Sequence, residues 1–314
     1  MTIHRRVLVD TDAGVDDILA LFVLMQIAPP STIDVAVTFG NVTLDQALSN
    51  VALFSFVSGL SPHKVFRGSS APILGKPRFA TDVHGPDGLG GITNLPLWRP
   101  PPTGPSPMLF RRTKFDYEKI VALGPMTDIA RLTQLSSSAP PLFVMGGAFD
   151  VSGNVSSFAE FNFYSDAHAA GYVFEHYAGE IFVVPLDVCN TVILGRQYFG
   201  DLCDKNRSSA ATFLKLIHQH YMDFYRKLEG IDGCHPYDAL TICASVEQDL
   251  FEWNRGLIRI CKDDRERGRS LFKADSAGRH YVARRVDTSR FFKILESAVG
   301  NFKEVCGPDI AAVK

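Results

Sequence analysis

Short apolar runs recur along the chain, each followed by a polar or glycine-rich turn and then a stretch with helical spacing. Residues 7–9 precede DTDAGVDD and then residues 18–27, which are apolar nearly all round, as a buried helix is. The run 34–39 leads into Gly40-Asn41 and a predicted helix over 45–58. The run 119–123 leads into Gly124-Pro125 and a helix over 127–135. The runs 142–145 and 181–184 lead into Gly146-Gly147 and Pro185-Leu186-Asp187. Strands alternating with helices in this way predict an α/β fold: a mostly parallel central sheet with helices on both faces. In such folds ligands lie at the carboxyl ends of the strands. The aspartates of DTDAGVDD, Asn41, Gly124, Gly147 and Asp187 all fall just past strand ends, so they can meet in one crevice.

Residues 76–113 break the rhythm with HGPDGLGG at 84–91 and LPLWRPPPTGPSP at 95–107. The second piece is a surface loop, because its prolines remove donors and fix φ; it reads as a lid or a connector inserted into one domain spanning 1–314. The charged run KDDRERGR at 262–269 reads as a solvated turn. A net charge of −2 gives neither sign the upper hand, which argues against nucleic acid as a partner. The longest apolar stretch, 18–28, is too short to span a bilayer, and MTIHRRVLVD lacks a signal-peptide profile. The six cysteines form no CxxC pair and suit reduced core thiols of a cytoplasmic protein.

Candidate chemistry concentrates at the first strand-to-helix junction, where Asp10, Asp12, Asp16 and Asp17 crowd together. Four carboxylates there repel one another, and a divalent cation is the simplest group to offset that. Asp10 and Asp12 lie two apart on an extended segment and point the same way. Asp16 and Asp17 fall where a helix begins, with Gly14 expected to supply the bend. Helix capping accounts for Asp16 or Asp17 but not for all four. A second cluster, residues 144–170, combines Gly146, Gly147 and Gly153 with Asn154, Glu160 and Asn162, side chains suited to hydroxyl groups, and with Phe161. In a third, GCHPYDAL at 233–240, Asp238 precedes an apolar helix over 239–246.

DTDAGVDD at 10–17 resembles the DTDPGxDD signature of the inosine-uridine-preferring nucleoside hydrolases. FGN at 39–41, HGPDGLGG, LGPMTDIA at 123–130, MGGAFDVSGN through AEFN at 145–162, PLDV at 185–188 and YDAL at 237–240 are similar to the family's further motifs, in the same order. The resemblance implies a Rossmann-like architecture, hydrolysis of ribonucleosides to base and ribose, and one Ca²⁺ at the bottom of a ribose pocket. It implies Asp12, Asp17, Asp238 and the carbonyl of Leu123 as metal ligands, with Asp10 supporting them. Asp12 also matches the base that takes a proton from the attacking water. Asp16, Glu160 and Asn162 match ribose-hydroxyl contacts, with Asn41, Met145 and Asn154 lining the same pocket. His84, Phe161, Tyr221 and Tyr225 are expected around the nucleobase; the two tyrosines lie four apart on a helix over 209–228 and share a face. Family members are commonly dimers or tetramers, so a homo-oligomer is implied.

Three positions depart from the family pattern. Ala13 replaces proline and Asp128 replaces asparagine; both read as peripheral. Tyr237 stands where many members carry the histidine assigned to leaving-group protonation. With an unperturbed pKa near 10, tyrosine is the poorer acid at neutral pH. His235 is the alternative acid if the loop bends. Two competing readings follow: a ribosyl-binding protein that has lost turnover, and a haloacid-dehalogenase-type phosphatase, which also has an Asp-x-Asp after its first strand. The second gives the cluster at 145–162 no role.

Overall fold

In the computed structural model, residues 6–92, 117–135 and 139–303 are described. The strands in chain order are β1 (Arg6–Thr11), β2 (Ile33–Val37), β3 (Lys64–Arg67), β4 (Tyr117–Ala122), β5 (Leu142–Met145), β6 (Ile181–Val184), β7 (Leu194–Gly195), β8 (Gly233–Cys234), β9 (Phe251–Ile260), β10 (Ser270–Ala274) and β11 (His280–Val286). Nine of them form one sheet in the order β10-β9-β11-β6-β5-β4-β1-β2-β3, and β7 and β8 form a separate short pair. From β3 to β11 every neighbour is parallel; β9 pairs antiparallel with both β11 and β10. The run β3-β2-β1-β4-β5-β6 is the doubly wound order, which reverses direction between β1 and β4 and opens a crevice there.

The helices are α1 (Val15–Ile27), α2 (Leu44–Ser58), α3 (Thr81–His84), α4 (Thr127–Leu135), α5 (Phe161–Ser165), α6 (Ala167–His176), α7 (Leu186–Cys189), α8 (Arg196–Asn206), α9 (Ser209–Glu229), α10 (Tyr237–Val246) and α11 (Thr288–Gly300). They cover both faces. One core joins Val7 and Val9 of β1 to α1, α2, α8, α9, α10 and α11, and the other joins Leu8 to α4 and α6. Burial on both faces is why the inner strands read as continuous apolar runs.

Helix α4 and strands β5 and β6 coincide with their sequence signals, whereas α1 starts at Val15 and draws Asp16 and Asp17 into its first turn. The sequence pattern gives no sign of β3 or of β9 to β11, whose residues are short or alternate between buried and exposed with arginines among them. The proline-rich 95–107 stretch lies outside the described residues. No helix among the described residues is long and apolar enough to cross a membrane. Cys189, Cys203, Cys234 and Cys243 are buried free thiols.

Candidate active site

The crevice between the ends of β1 and β4 is floored by carboxylates. Asp12 accepts from the Asn41 backbone N–H at 2.7 Å and from Asn41 Nδ2 at 2.9 Å, and the same amide reaches Asp17 Oδ2 at 3.1 Å. Asp17 also accepts from Thr11 Oγ1 at 2.5 Å and, as a helix cap, from Gly14 N–H at 2.9 Å. The capping reading is therefore correct for Asp17, yet incomplete. Asp16, Asp17 and Asp238 each offer an oxygen within 4.8 Å of the others. Both oxygens of Asp10 and one of Asp16 are buried with no hydrogen-bond partner.

This crowding has an electrostatic signature. Burial and the neighbouring carboxylates push Asp10, Asp12 and Asp238 well above the ordinary carboxylate range. Burial first, then Asp17, pushes Asp16 up to about 8. Buried carboxylates without compensating donors call for a cation or a proton. The donor set is all oxygen, as a hard divalent cation such as Ca²⁺ requires. The Leu123 carbonyl accepts from Asn162 Nδ2 at 2.7 Å, which leaves one of its two lone pairs for another partner.

Above this floor lies a cavity lined by Asp16, Asn41, Met145, Asn154, Glu160 and Asn162 among others. Glu160 caps α5: its carboxylate accepts from the N–H groups of Gly147, Asn162 and Phe163 at 3.1, 2.7 and 3.1 Å. Burial outweighs these donors and pushes it up to about 7. Asn154 accepts from Phe161 N–H at 2.9 Å, and Asn162 also donates to the Met145 carbonyl at 3.2 Å.

The outer wall is aromatic. Tyr221 stacks on His84 at 5.0 Å and donates to Asp16 at 3.2 Å. His84 Nδ1 accepts from Val15 N–H at 3.2 Å, which puts the ring proton on Nε2. Burial, then His220 and His218, lower its pKa to about 3, so its 3.8 Å approach to Asp16 is not an ion pair at neutral pH. Tyr225 stands edge-on to Tyr221 and donates to Tyr237, whose hydroxyl donates to Asn190 at 3.2 Å. Phe161 completes the lining.

His235 does not line the cavity. Its Nδ1 faces the Val192 carbonyl at 2.9 Å and its Nε2 faces Glu229 at 3.0 Å, so both ring nitrogens are engaged elsewhere. Asp10 is not part of the group formed by Asp16, Asp17 and Asp238, although the charges of Asp128 and Asp17 act on it. Sequence reasoning missed Asn190, Phe224 and Glu229. The signal for the last two was present in the α9 stripe that also carries Tyr221 and Tyr225.

Two departures from the family pattern prove to be structural. The bend expected at Gly14 occurs at Ala13, which is left-handed with φ 53°, while Gly14 is extended. A proline, held near φ of about −65°, cannot take that turn. Gly14 is required for space instead, since a Cβ there would lie 2.4 Å from Asn41 Nδ2. Asp128 is fully buried and accepts from both the N–H and the hydroxyl of Ser69. The Ser69 carbonyl in turn accepts from Phe39 N–H at 3.0 Å, which anchors the loop that delivers Asn41 to Asp12. Asp128→Asn replaces one acceptor by a donor and leaves a Ser69 donor unmatched. The expected loss is about 1–3 kcal/mol, read by thermal denaturation at pH 8, above the value of about 6 to which burial raises Asp128.

Fold and site together define an enzyme with an acidic, metal-competent pocket at the switch point of a doubly wound sheet. The chain matches the family described as inosine-uridine preferring nucleoside hydrolase over residues 7–293. It is 30% identical over 265 residues to uridine nucleosidase 1 of Arabidopsis thaliana, covering 82% of this chain and 78% of that one. It is 32% identical over 254 residues to the non-specific ribonucleoside hydrolase RihC of Escherichia fergusonii, covering 78% and 80% respectively. The solved plant nucleoside hydrolase PpNRh1 superposes with a TM-score of 0.82 at 26% identity, covering 94% of this chain and 99% of that one. The chain belongs to the inosine-uridine preferring nucleoside hydrolase family. Its activity is hydrolysis of N-glycosyl compounds.

Proposed function

We propose that the protein cleaves the N-glycosidic bond of ribonucleosides with Ca²⁺ held by Asp12, Asp17, Asp238 and the Leu123 carbonyl. The observation that carries this reading is the convergence of oxygens of Asp16, Asp17 and Asp238, with Asp12 bonded to the same Asn41 amide as Asp17, beneath a cavity lined by Asn154, Glu160 and Asn162. When bound, the cation lowers the pKa of a water molecule and fixes its position. Asp12, clamped at both oxygens by Asn41, accepts the proton of the attacking water. Asp16, Asn162 and Glu160 hold the ribose hydroxyls. As the bond from C1′ to the base nitrogen breaks, positive charge grows on the sugar ring and the carboxylates beside it stabilise that charge. The base departs with the electron pair into the aromatic wall of His84, Tyr221, Tyr225 and Phe161.

Uridine is the substrate to test first. Uridine nucleosidases are among the relatives, and no lysine or arginine lines the cavity among the described residues. The test is ribose release from inosine, adenosine, guanosine, uridine, cytidine and nicotinamide riboside, with and without a calcium chelator. Release that stops on chelation and returns with Ca²⁺ supports the reading. Binding of nucleosides with no release from any of them favours a ribosyl-binding protein instead.

Tyr237 favours that second reading. Burial and Tyr225 push its hydroxyl well above the usual tyrosine range, and Asn190 already takes its proton in a hydrogen bond. Leaving-group protonation is then the weak step. Tyr237→His should raise kcat for uridine or inosine by about tenfold, a modest share of what a positioned acid contributes. An unchanged kcat in a folded variant overturns the idea that the missing acid limits the rate.

A further inference from the structure

The charged run at 262–269 is the solvated turn that its composition suggests at its tip, where Asp263, Asp264 and Arg265 are exposed, but its second half is held against the protein. It joins β9 to β10 and closes on itself through Cys261 N–H to Arg269 O and Gly268 N–H to Cys261 O, both 2.9 Å. Its far side packs on the segment that carries Glu160 and Asn162. Arg267 Nε donates to the Tyr164 carbonyl at 2.9 Å, and Nη2 reaches the Ser165 carbonyl at 3.5 Å. The Arg267 guanidinium lies 5.6 Å from the centre of the Tyr164 ring. Gly268, with φ 78°, lies so close that a Cβ there would stand 2.7 Å from Tyr164 Cα and 2.8 Å from its nitrogen. Arg269 pairs with Ala159 in an isolated β-bridge and lies over Phe158 at 5.2 Å. The turn therefore grips the segment on both sides of Glu160, at residues 158–159 and again at 164–165.

The grip has something to hold in place. Helix α5 is only five residues long, too short to keep its own geometry in water. Yet its cap, Glu160, and its second residue, Asn162, face the ribose end of the cavity. We infer that Arg267 and Gly268 are positioning residues for ribose recognition: the β9–β10 turn braces α5 so that Glu160 and Asn162 meet the sugar hydroxyls. The inference rests on the nucleoside-hydrolase reading of the cavity and adds to it a part of the chain remote from the chemistry. The aromatic wall around the base comes mainly from α3 and α9, with Phe161 alone drawn from the braced segment, so the brace acts on the sugar more than on the base.

The experiment compares wild type, Arg267→Ala, Arg267→Lys and Gly268→Ala in steady-state hydrolysis of uridine, with inhibition by free ribose and by free uracil measured separately. Arg267→Ala is expected to raise KM and the inhibition constant for ribose about tenfold. Inhibition by uracil should stay within about twofold and kcat should fall less than KM rises. Arg267→Lys keeps a charge near Tyr164 but loses the rigid planar fork that reaches both carbonyls, and should fall between the two. Gly268→Ala should match or exceed the alanine variant of Arg267. Unchanged ribose inhibition in Arg267→Ala overturns the inference, as does equal weakening of ribose and uracil, which would mark a general loosening of the fold. A wild type that neither hydrolyses ribonucleosides nor binds ribose sinks the functional reading itself and this inference with it. An active wild type beside an unaffected Arg267→Ala sinks the inference alone.

Discussion

Asp12→Asn should lower kcat/KM for ribonucleoside hydrolysis by about a thousandfold, in the range expected for loss of a positioned general base, while leaving the metal-free protein at least as stable as the wild type. The two effects have opposite signs because the same carboxylate is useful and strained. Its oxygens are held by Asn41 and it stands against Asp17 in a fully buried site. An asparagine keeps one acceptor for Asn41 and strands its other donor, but it removes the charge repulsion from Asp17, and in the buried site the second effect offsets the first. Asp12→Ala is the poorer test of catalysis, because it strands both Asn41 donors and opens space beside Gly40, whose missing Cβ leaves room for the aspartate. The measurement is steady-state kinetics alongside thermal melting in chelator. Retained activity in Asp12→Asn would remove Asp12 from the proton-transfer step. A strongly lowered melting temperature would mean that the loss of activity reports on folding.

The second large effect concerns pH in the absence of metal. Asp10, Asp12, Asp16 and Asp238 all have folded pKa values raised above their unfolded ones. A carboxyl group with a raised folded pKa binds its proton more tightly when folded. Its stabilising effect is present below the unfolded value, near 4, and is lost as pH rises through the folded value, which for Asp16 is about 8. Chelated protein should therefore melt at lower temperature at pH 8 than at pH 5, by about 5 °C or more for losses of a few kcal/mol in a chain of this size. Saturating Ca²⁺ should abolish most of that slope, and its binding at pH 6–7 should release protons, measurable as a buffer-dependent enthalpy in calorimetry. A chelated protein whose melting temperature rises steadily from pH 5 to 8 would show that these carboxylates are ionised and compensated by other groups.

The inner half of the fold was legible because strands buried on both faces leave unbroken apolar runs, as at β5 and β6. The outer half was not. The strands β9, β10 and β11 form an antiparallel edge partly open to solvent, where Arg255, Arg259 and Arg285 hide the strand period among charges. Within the site, the aspartates announced themselves because like charges at one junction demand a reason. The left-handed turn at Ala13 was invisible, since nothing in an alanine signals positive φ. Asp128 looked peripheral for a related reason. Its role depends on Ser69, a partner 59 positions away that no local pattern links to it.

The contact between Asp16 and Tyr221 joins residues 205 positions apart. A ribosome adding about 5–20 residues per second needs on the order of 10–40 s to cover that distance. For all that time the nascent chain carries its first aspartates without Tyr221, and it waits longer still for Asp238. The doubly wound sheet can begin to assemble from β1, β2 and β4 well before then, but its charged rim stays open. A cation site that uses Asp238 can therefore be completed only after the chain has been made as far as that residue, long after β1 and its aspartates have emerged.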